Sequence, residues 1–226
     1  MDRELVKDII QWDIENWGHL IQLWSRHINT GEYLNCLEIG AKKGGLSLWV
    51  ALNRHNIICS DFDNPQNTAK LLHEKYKVSK NVNYQAIDIL DIPYQNHFDI
   101  VFIKSILPSV GNNDQKELQE KAIKSIYQSL KPGGKLLFAE NLTGTMFHSF
   151  ARKKFVHWGT QVRYLQLEEM LDFLKDYKKV EYQTYGFFGA FGKTEKQRRL
   201  LGKIDTLVNR VIPLKWNYLI IGTATK

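Results

Sequence analysis

A doubly wound α/β fold with a mostly parallel sheet is what this sequence predicts. Three observations carry the prediction. Short apolar runs alternate with helix-period segments from residue 35 onward. Several of those runs are apolar at successive positions, as strands covered on both faces must be. The first run passes through a glycine turn directly into a helix, the joint from which βαβ units are built. A length of 226 residues fits one domain with modest decorations, and 43% hydrophobic against 24% charged residues excludes a disordered chain.

Taken in order, residues 5–28 place Ile9, Ile10, Ile14, Trp17, Leu20, Ile21 and Trp24 near helical spacing, which predicts one or two amphipathic helices. Residues 35–39 (NCLEI) form a short buried strand, followed by a helix over 45–52. A second strand covers 56–60 (NIICS), with a helix over 67–76. The third strand, 82–87, ends in the polar stretch around Asp88 and Asp91. The fourth is 98–103 (FDIVFI), and the helix over 115–129 stops at Lys131-Pro132-Gly133-Gly134 before a fifth strand at 135–140. Beyond residue 150 the pattern loosens into a helix over 167–177, a strand at 180–185, a helix over 195–211 and a closing strand at 216–223. No repeat or proline-rich linker marks a boundary, so a single domain over residues 1–226 is expected, with a helical segment over 1–30.

The formal net charge of +7 fits either an anionic partner or a lysine-rich proteome. The cations are scattered, with small clusters at 152–154 and 196–199, and no aromatic-interleaved basic stripe appears. Nucleic acid is therefore not an expected partner. No stretch approaches the roughly 20 apolar residues that span a bilayer. The N-terminal residues carry acids throughout and lack an apolar core with a cleavage site, so a cytoplasmic location is expected. Cys36 and Cys59 sit in strand-like runs and read as buried thiols.

The most informative stretch is LEIGAKKGGLSLWVAL, residues 37–52. A strand entering a glycine turn brings backbone close to a nucleoside or dinucleotide ligand. Asp61 ends the second strand, 21 residues after Gly40, where an acid accepts bonds from ribose hydroxyls. A nicotinamide or flavin site wants G-x-G-x-x-G, but the position of the second glycine is Lys42. Glu38 stands two residues before the first glycine, and an acid there suits S-adenosylmethionine, which has no phosphate and a cationic amino-acid tail.

With these motifs the chain resembles the class I S-adenosylmethionine-dependent methyltransferases from about residue 33 to 141. LEIGAKKGG resembles the family's first motif, with Glu38, Gly40 and Gly44 in register and Lys42 in place of the middle glycine. SDFD is similar to the second motif, AIDILDIPY to the third, FDIVFIKSIL to the fourth-strand motif and LKPGGKLLFAE to the turn before the fifth strand. The resemblance implies a Rossmann-like doubly wound seven-stranded sheet whose last strand inserts antiparallel. It implies S-adenosylmethionine as cofactor, Asp61 on its ribose, Phe62 against adenine, Asp88 near the adenine amino group and Ile89 beside the ring. Ala41 and Gly45 complete the turn, and Lys104 lies at the cofactor edge. Asp88 and Asp91 also fit turn-capping roles, which is the assignment preferred for Asp91.

The stretches WDIENWGHLIQLW, AENLTGTMFH, KKFVHWG, YGFFGAFG and NRVIPLKWNYLIIGTATK resemble methyltransferases of bacterial surface (capsular and O-antigen) polysaccharide clusters. That likeness implies O-methylation of a sugar, sugar nucleotide or glycan in polysaccharide biosynthesis, with residues 141–215 as acceptor-side elaborations. Other small molecules with nitrogen or phosphate-type acceptors, and a non-catalytic subunit that binds the cofactor, remain as alternatives. A nicotinamide oxidoreductase is disfavoured by Lys42 and LKPGG.

A hydroxyl acceptor usually needs a base, and His148 and His157, past the fifth strand, are the candidates. A phosphate on the acceptor would meet Arg152, Lys153 and Lys154. Glu140 is a further candidate for capping a turn. YGFFGAFG is either a lid over an acceptor pocket or a tight bend with core phenylalanines. Residues 198–212 place Leu200, Leu201, Ile204, Leu207, Val208 and Val211 on one side, expected as a sheet-covering helix in preference to a membrane-surface helix. No Cys, His and Asp cluster has metal-ligand spacing, so no metal is expected. The sequence does not fix the oligomeric state.

Overall fold

The computed structural model describes residues 1–155 and 162–226, the side chains of 151–155 excepted. The N-terminal segment folds as three helices rather than one or two: α1 (Arg3–Ile10), α2 (Ile14–Trp17) and α3 (His19–Ile28). The first break falls at Gln11 and Asp13, non-glycine residues with φ of 76° and 44°. Hydrophobic periodicity carries no signal for such left-handed residues.

Seven strands follow: β1 (Asn35–Ile39), β2 (Asn56–Asp61), β3 (Val82–Ala86), β4 (Phe98–Lys104), β5 (Leu130–Asn141), β6 (Lys179–Tyr185) and β7 (Leu219–Thr225). They form one sheet in the order β3-β2-β1-β4-β5-β7-β6. Strands β1 to β5 are parallel, and β7 runs antiparallel between β5 and β6, as expected for the last strand. The intervening helices are α4 (Gly45–Leu52), α5 (Gln66–Lys75), α6 (Leu107–Val110), α7 (Lys116–Ser129), α8 (Met146–Phe155), α9 (Leu167–Phe173) and α10 (Glu195–Val208). The expected helix over 167–177 stops at Phe173. Helix α6 has only four residues and α8 follows a loose pattern, so neither was predicted. Leu130 already pairs with Phe98, and pairing resumes at Ile100 with Lys135, so residues 131–134 loop out of β5 around Gly133 at φ 79°.

Successive residues of the central strands are buried on opposite faces of the sheet, as the two-residue period of a strand dictates. Ile100 and Phe102 of β4 face a core with α1, α3, α4 and α5, and Val101 and Ile103 face a second core with α7 and α9. Cys36 and Cys59 are buried free thiols. Because β1 leads outward to β2 and β3 while β4 returns on its other side, the topological switch lies between β1 and β4. In such sheets the crevice beyond the carboxyl ends at that point receives the ligand.

Helix α10 corrects an expectation. Its apolar residues do not cover the sheet: Leu200, Ile204 and Leu207 are exposed, as is Val211 in the turn that follows. The helix is seated by its polar side instead. Asp205 is buried and accepts the backbone N–H groups of Phe187, Phe188 and Gly189 at 3.0, 2.7 and 2.9 Å, and the side-chain amide of Asn16 at 3.1 Å. Asn16 also donates to Asp13 and to the Tyr218 hydroxyl, which in turn donates to Asp13. This network joins the N-terminal segment, the start of β7 and α10. It also resolves YGFFGAFG as a tight bend, with a 3-10 turn at Gly189–Phe191.

Candidate active site

The glycine turn leaves β1 at Gly40, whose φ is 73°. A Cβ there would lie 2.4 Å from Ile106 Cδ1, so a larger residue would have to displace that side chain as well as bear the strain of positive φ. Lys42, standing where the family motif has its middle glycine, takes φ 49° and is exposed. The loop thus keeps a glycine-like path with a lysine in it, at a strain of about 1 kcal/mol. Ala41 is buried and donates its N–H to Ser60 O at 2.9 Å. Gly44 has φ 70°, and Gly45 opens α4 against Ile9, whose carbonyl oxygen would lie 2.2 Å from an added Cβ.

Three acids stand at the carboxyl ends of adjacent strands. Glu38 of β1 is buried, and its Oε2 accepts the N–H and hydroxyl of Ser47 at 2.7 and 2.5 Å. Burial pushes this carboxyl up to about 7, against the pull of those bonds. Asp61 of β2 accepts the N–H groups of Lys42 at 3.0 Å and Phe62 at 2.9 Å, which aims its carboxylate at the glycine turn. Asp88, just past β3, is exposed and accepts the Leu90 N–H at 2.9 Å, while Ile89 beside it is buried. The Phe62 ring is 73% exposed at the rim.

This set fits a nucleoside cofactor: an acid at ribose reach, an uncovered aromatic ring beside it, and a glycine cradle that an added Cβ would fill. A second cluster sits at the switch point. Lys104 ends β4, donates to the Ile10 carbonyl at 3.1 Å and holds its Nζ 3.2 Å from the Trp12 ring centroid and 5.3 Å from that of Trp17. Burial pushes its ammonium down to about 7, with Glu38 and Glu140 opposing the shift. Glu140, at the end of β5, accepts the N–H groups of Ile106 at 3.0 Å and Leu107 at 3.3 Å through Oε1. It therefore caps the turn after β4 rather than the one that follows it. Its Oε2 is buried with no hydrogen-bond partner among the described residues, and burial pushes the carboxyl up to about 8.

The candidate bases fare differently. His148 is buried, with Nδ1 accepting the Thr145 N–H at 3.0 Å. Nε2 therefore carries the proton and donates to the Phe187 carbonyl at 2.8 Å. The ring also stacks on Phe191 at 5.0 Å between centroids. With both nitrogens engaged in a packed aromatic cluster, His148 holds the bend and presents no lone pair to an acceptor. His157 lies outside the described residues, as do the side chains of Arg152, Lys153 and Lys154. Trp12, Trp17 and the unpartnered oxygen of Glu140 escape sequence reading. Trp17 registers only as part of a helix face, and a buried acid is indistinguishable from a capping one.

Fold and site together define a Rossmann-like doubly wound sheet whose carboxyl edge suits a nucleoside cofactor. Residues 37–138, a little under half of the chain, match the family model of a methyltransferase domain. No curated protein matches the chain. Among solved structures, the chain is similar to the [4+2]-cyclase SpnF, with 20% identity, 94% of this chain and 80% of that one covered and a TM-score of 0.64. It is similar to phosphoethanolamine N-methyltransferase 2 of Haemonchus contortus, solved with phosphomonomethylethanolamine and S-adenosylhomocysteine, with 19% identity, 93% and 52% covered and a TM-score of 0.63. It also resembles the Burkholderia thailandensis 1,6-didemethyltoxoflavin-N1-methyltransferase, solved with its acceptor and S-adenosylhomocysteine, with 13% identity, 92% and 76% covered and a TM-score of 0.60. The acceptors and activities named for these structures differ, so the likeness speaks for the shared fold.

Proposed function

We propose that this chain, as a single domain in the cytoplasm, transfers a methyl group from S-adenosylmethionine to a hydroxyl of a sugar, sugar nucleotide or glycan in surface polysaccharide biosynthesis. The observation that carries the methyl-transfer reading is the row of Asp88, Asp61 and Glu38 along neighbouring strands β3, β2 and β1 around the glycine turn. The sugar acceptor rests on the resemblance of the flanking motifs. S-adenosylmethionine supplies an already activated methyl group, so the protein's work is positioning and removal of one proton. Asp61 receives the ribose hydroxyls, Phe62 covers adenine, and Asp88 and Ile89 bound the base. Gly40, Ala41, Gly44 and Gly45 form the turn beneath, with Glu38 anchoring it to α4 through Ser47.

We assign proton removal to Lys104 in place of His148. A lysine held near neutrality by burial accepts a proton from a hydroxyl at physiological pH, with the Glu38 and Glu140 carboxyls as the charges that favour its ammonium. A second reading, an amine acceptor, is favoured by Trp12 and Trp17, whose rings already hold an ammonium. A methyl-transfer screen with sugar nucleotides, glycans and small amines decides between the two. Cofactor binding without turnover on any of them would leave a cofactor-binding subunit.

Two expected outcomes follow from this site. Asp61→Ala weakens S-adenosylmethionine binding by about 1.5–3 kcal/mol, the range of charge-assisted bonds to hydroxyls, with the fold intact. Calorimetry showing unchanged affinity would place the ribose elsewhere. Activity also persists in excess chelator, since among the described residues no group of three or more His, Cys, Asp or Glu could hold a metal ion. Turnover lost to chelator and restored by magnesium would overturn the metal-free reading.

A further inference from the structure

We infer that the outward side of α10, continued through residues 211–216, is a docking surface for an anionic lipid bilayer. At 3.6 residues per turn, positions 200, 204, 207 and 211 fall within about 60° of one another on a helix. In this chain they are Leu200, Ile204, Leu207 and Val211, exposed by 64, 39, 83 and 80%. The stripe runs on through Leu214 and Trp216, both exposed. Membrane-spanning is not involved: no described helix is long and apolar enough to cross a bilayer.

An amphipathic helix of a globular protein buries its apolar side; this one does the reverse. Gly202 lets the α10 backbone approach so closely that a Cβ there would lie 2.7 Å from Glu15 Cβ. Asp205 then ties the same side to the bend at 187–189. The polar anchor fixes which side faces out, and the apolar side is left over, a patch that soluble surfaces rarely leave uncovered.

Charge identifies the occupant. Lys196, Lys203, Arg210 and Lys215 are exposed beside the stripe. The only acids between 195 and 216 are Glu195, which accepts the Asp13 N–H and pairs with Arg198, and the buried Asp205. The outward surface is therefore apolar with cationic flanks, the pattern of helices that lie in the headgroup layer of anionic membranes. A second copy of the chain fits worse, because a two-fold contact sets each cationic flank against its own image.

The position of the patch gives it a use. Helices α8 and α10 both pack on the Gly189–Phe191 turn, which follows the carboxyl end of β6, and α8 exposes Met146 and Phe147 there. Docking would bring the carboxyl edge of the sheet to the bilayer surface, where a lipid-carried acceptor is presented. That last step rests on the proposed function; the docking itself does not.

Flotation with vesicles of phosphatidylcholine alone, or mixed with phosphatidylglycerol, tests the docking without any assay of methyl transfer. The chain should float with the mixed vesicles, much less with the neutral ones, and less in high salt. Leu200→Glu with Leu207→Glu should lower partitioning at least tenfold, and Lys203→Gln on the order of fivefold. Both variants alter exposed positions, so melting temperature and cofactor binding should match the parent. Failure of the parent to float, equal flotation on both vesicle types, or unaltered flotation of the double variant would overturn the proposal. So would a parent dimer that Leu207→Glu dissolves, with no vesicle binding, since the surface then joins two copies.

Discussion

Asp205→Ala is expected to destabilise the chain by about 3–5 kcal/mol. Four donors converge on this carboxylate: three backbone N–H groups of residues 187–189 and the Asn16 amide. A donor stripped of its partner in a buried place costs about 1–3 kcal/mol, and the outermost of the three N–H groups recover part of that from water. The effect spreads further than the bend. Asn16 holds Asp13 and Tyr218, so loss of Asp205 loosens the seat of the N-terminal segment on the start of β7. For a chain of this size the corresponding fall in melting temperature is about 6–20 °C. Asp205→Asn keeps one acceptor oxygen and should lose about half as much. Denaturant unfolding of both variants checks this, and a loss below about 1 kcal/mol for the alanine would show that the bend is held by its phenylalanines instead.

The same network marks where sequence reading stops. The strands were legible because each is a buried apolar run whose neighbours are covered on both faces; β1 and α4 keep their predicted bounds, β5 starts five residues early at Leu130, and the bounds of the other strands move by one to three residues. The cofactor edge was legible because glycine and acid positions are tied to strand ends, which local sequence reports. Asp13, Asn16, Tyr218 and Asp205 are different: they meet across up to 205 residues of chain, and polar residues at helix spacing carry no sign of burial. Helix α10 was misjudged for that reason. Its apolar stripe is genuine, but the side that docks was chosen by Gly202 and Asp205, and a hydrophobic pattern cannot weigh a single buried carboxylate against four exposed aliphatics. The role of His148 is hidden likewise, since a histidine with both nitrogens engaged looks the same in sequence as one open to substrate.

Lys104→Met is expected to lower turnover by about 10²–10⁴-fold, the usual contribution of a positioned base, while S-adenosylmethionine still binds. Methionine keeps the length and the contact with Trp12 and Trp17, so the change removes the amine with little loss of packing. The pH profile distinguishes a base from a structural group. Burial among Ile10, Trp12 and Trp17 holds the Lys104 ammonium down at about 7, so the neutral form needed to accept a proton accumulates as pH rises through that value. Turnover of the parent should therefore climb between about pH 6 and 8 and then level, and the residual activity of the variant should lack that limb. The same titration bears on the cofactor. Its sulfonium and amino group are cations, and a charged lysine at the switch point opposes them, so affinity for S-adenosylmethionine should also rise through pH 7 in the parent and stay flat in the variant. An unchanged turnover number with weakened cofactor binding would return Lys104 to the cofactor edge and leave His157 as the remaining candidate base. An unaltered pH limb in the variant would assign the titration to the Glu38 or Glu140 carboxyl, both of which burial holds near the same range.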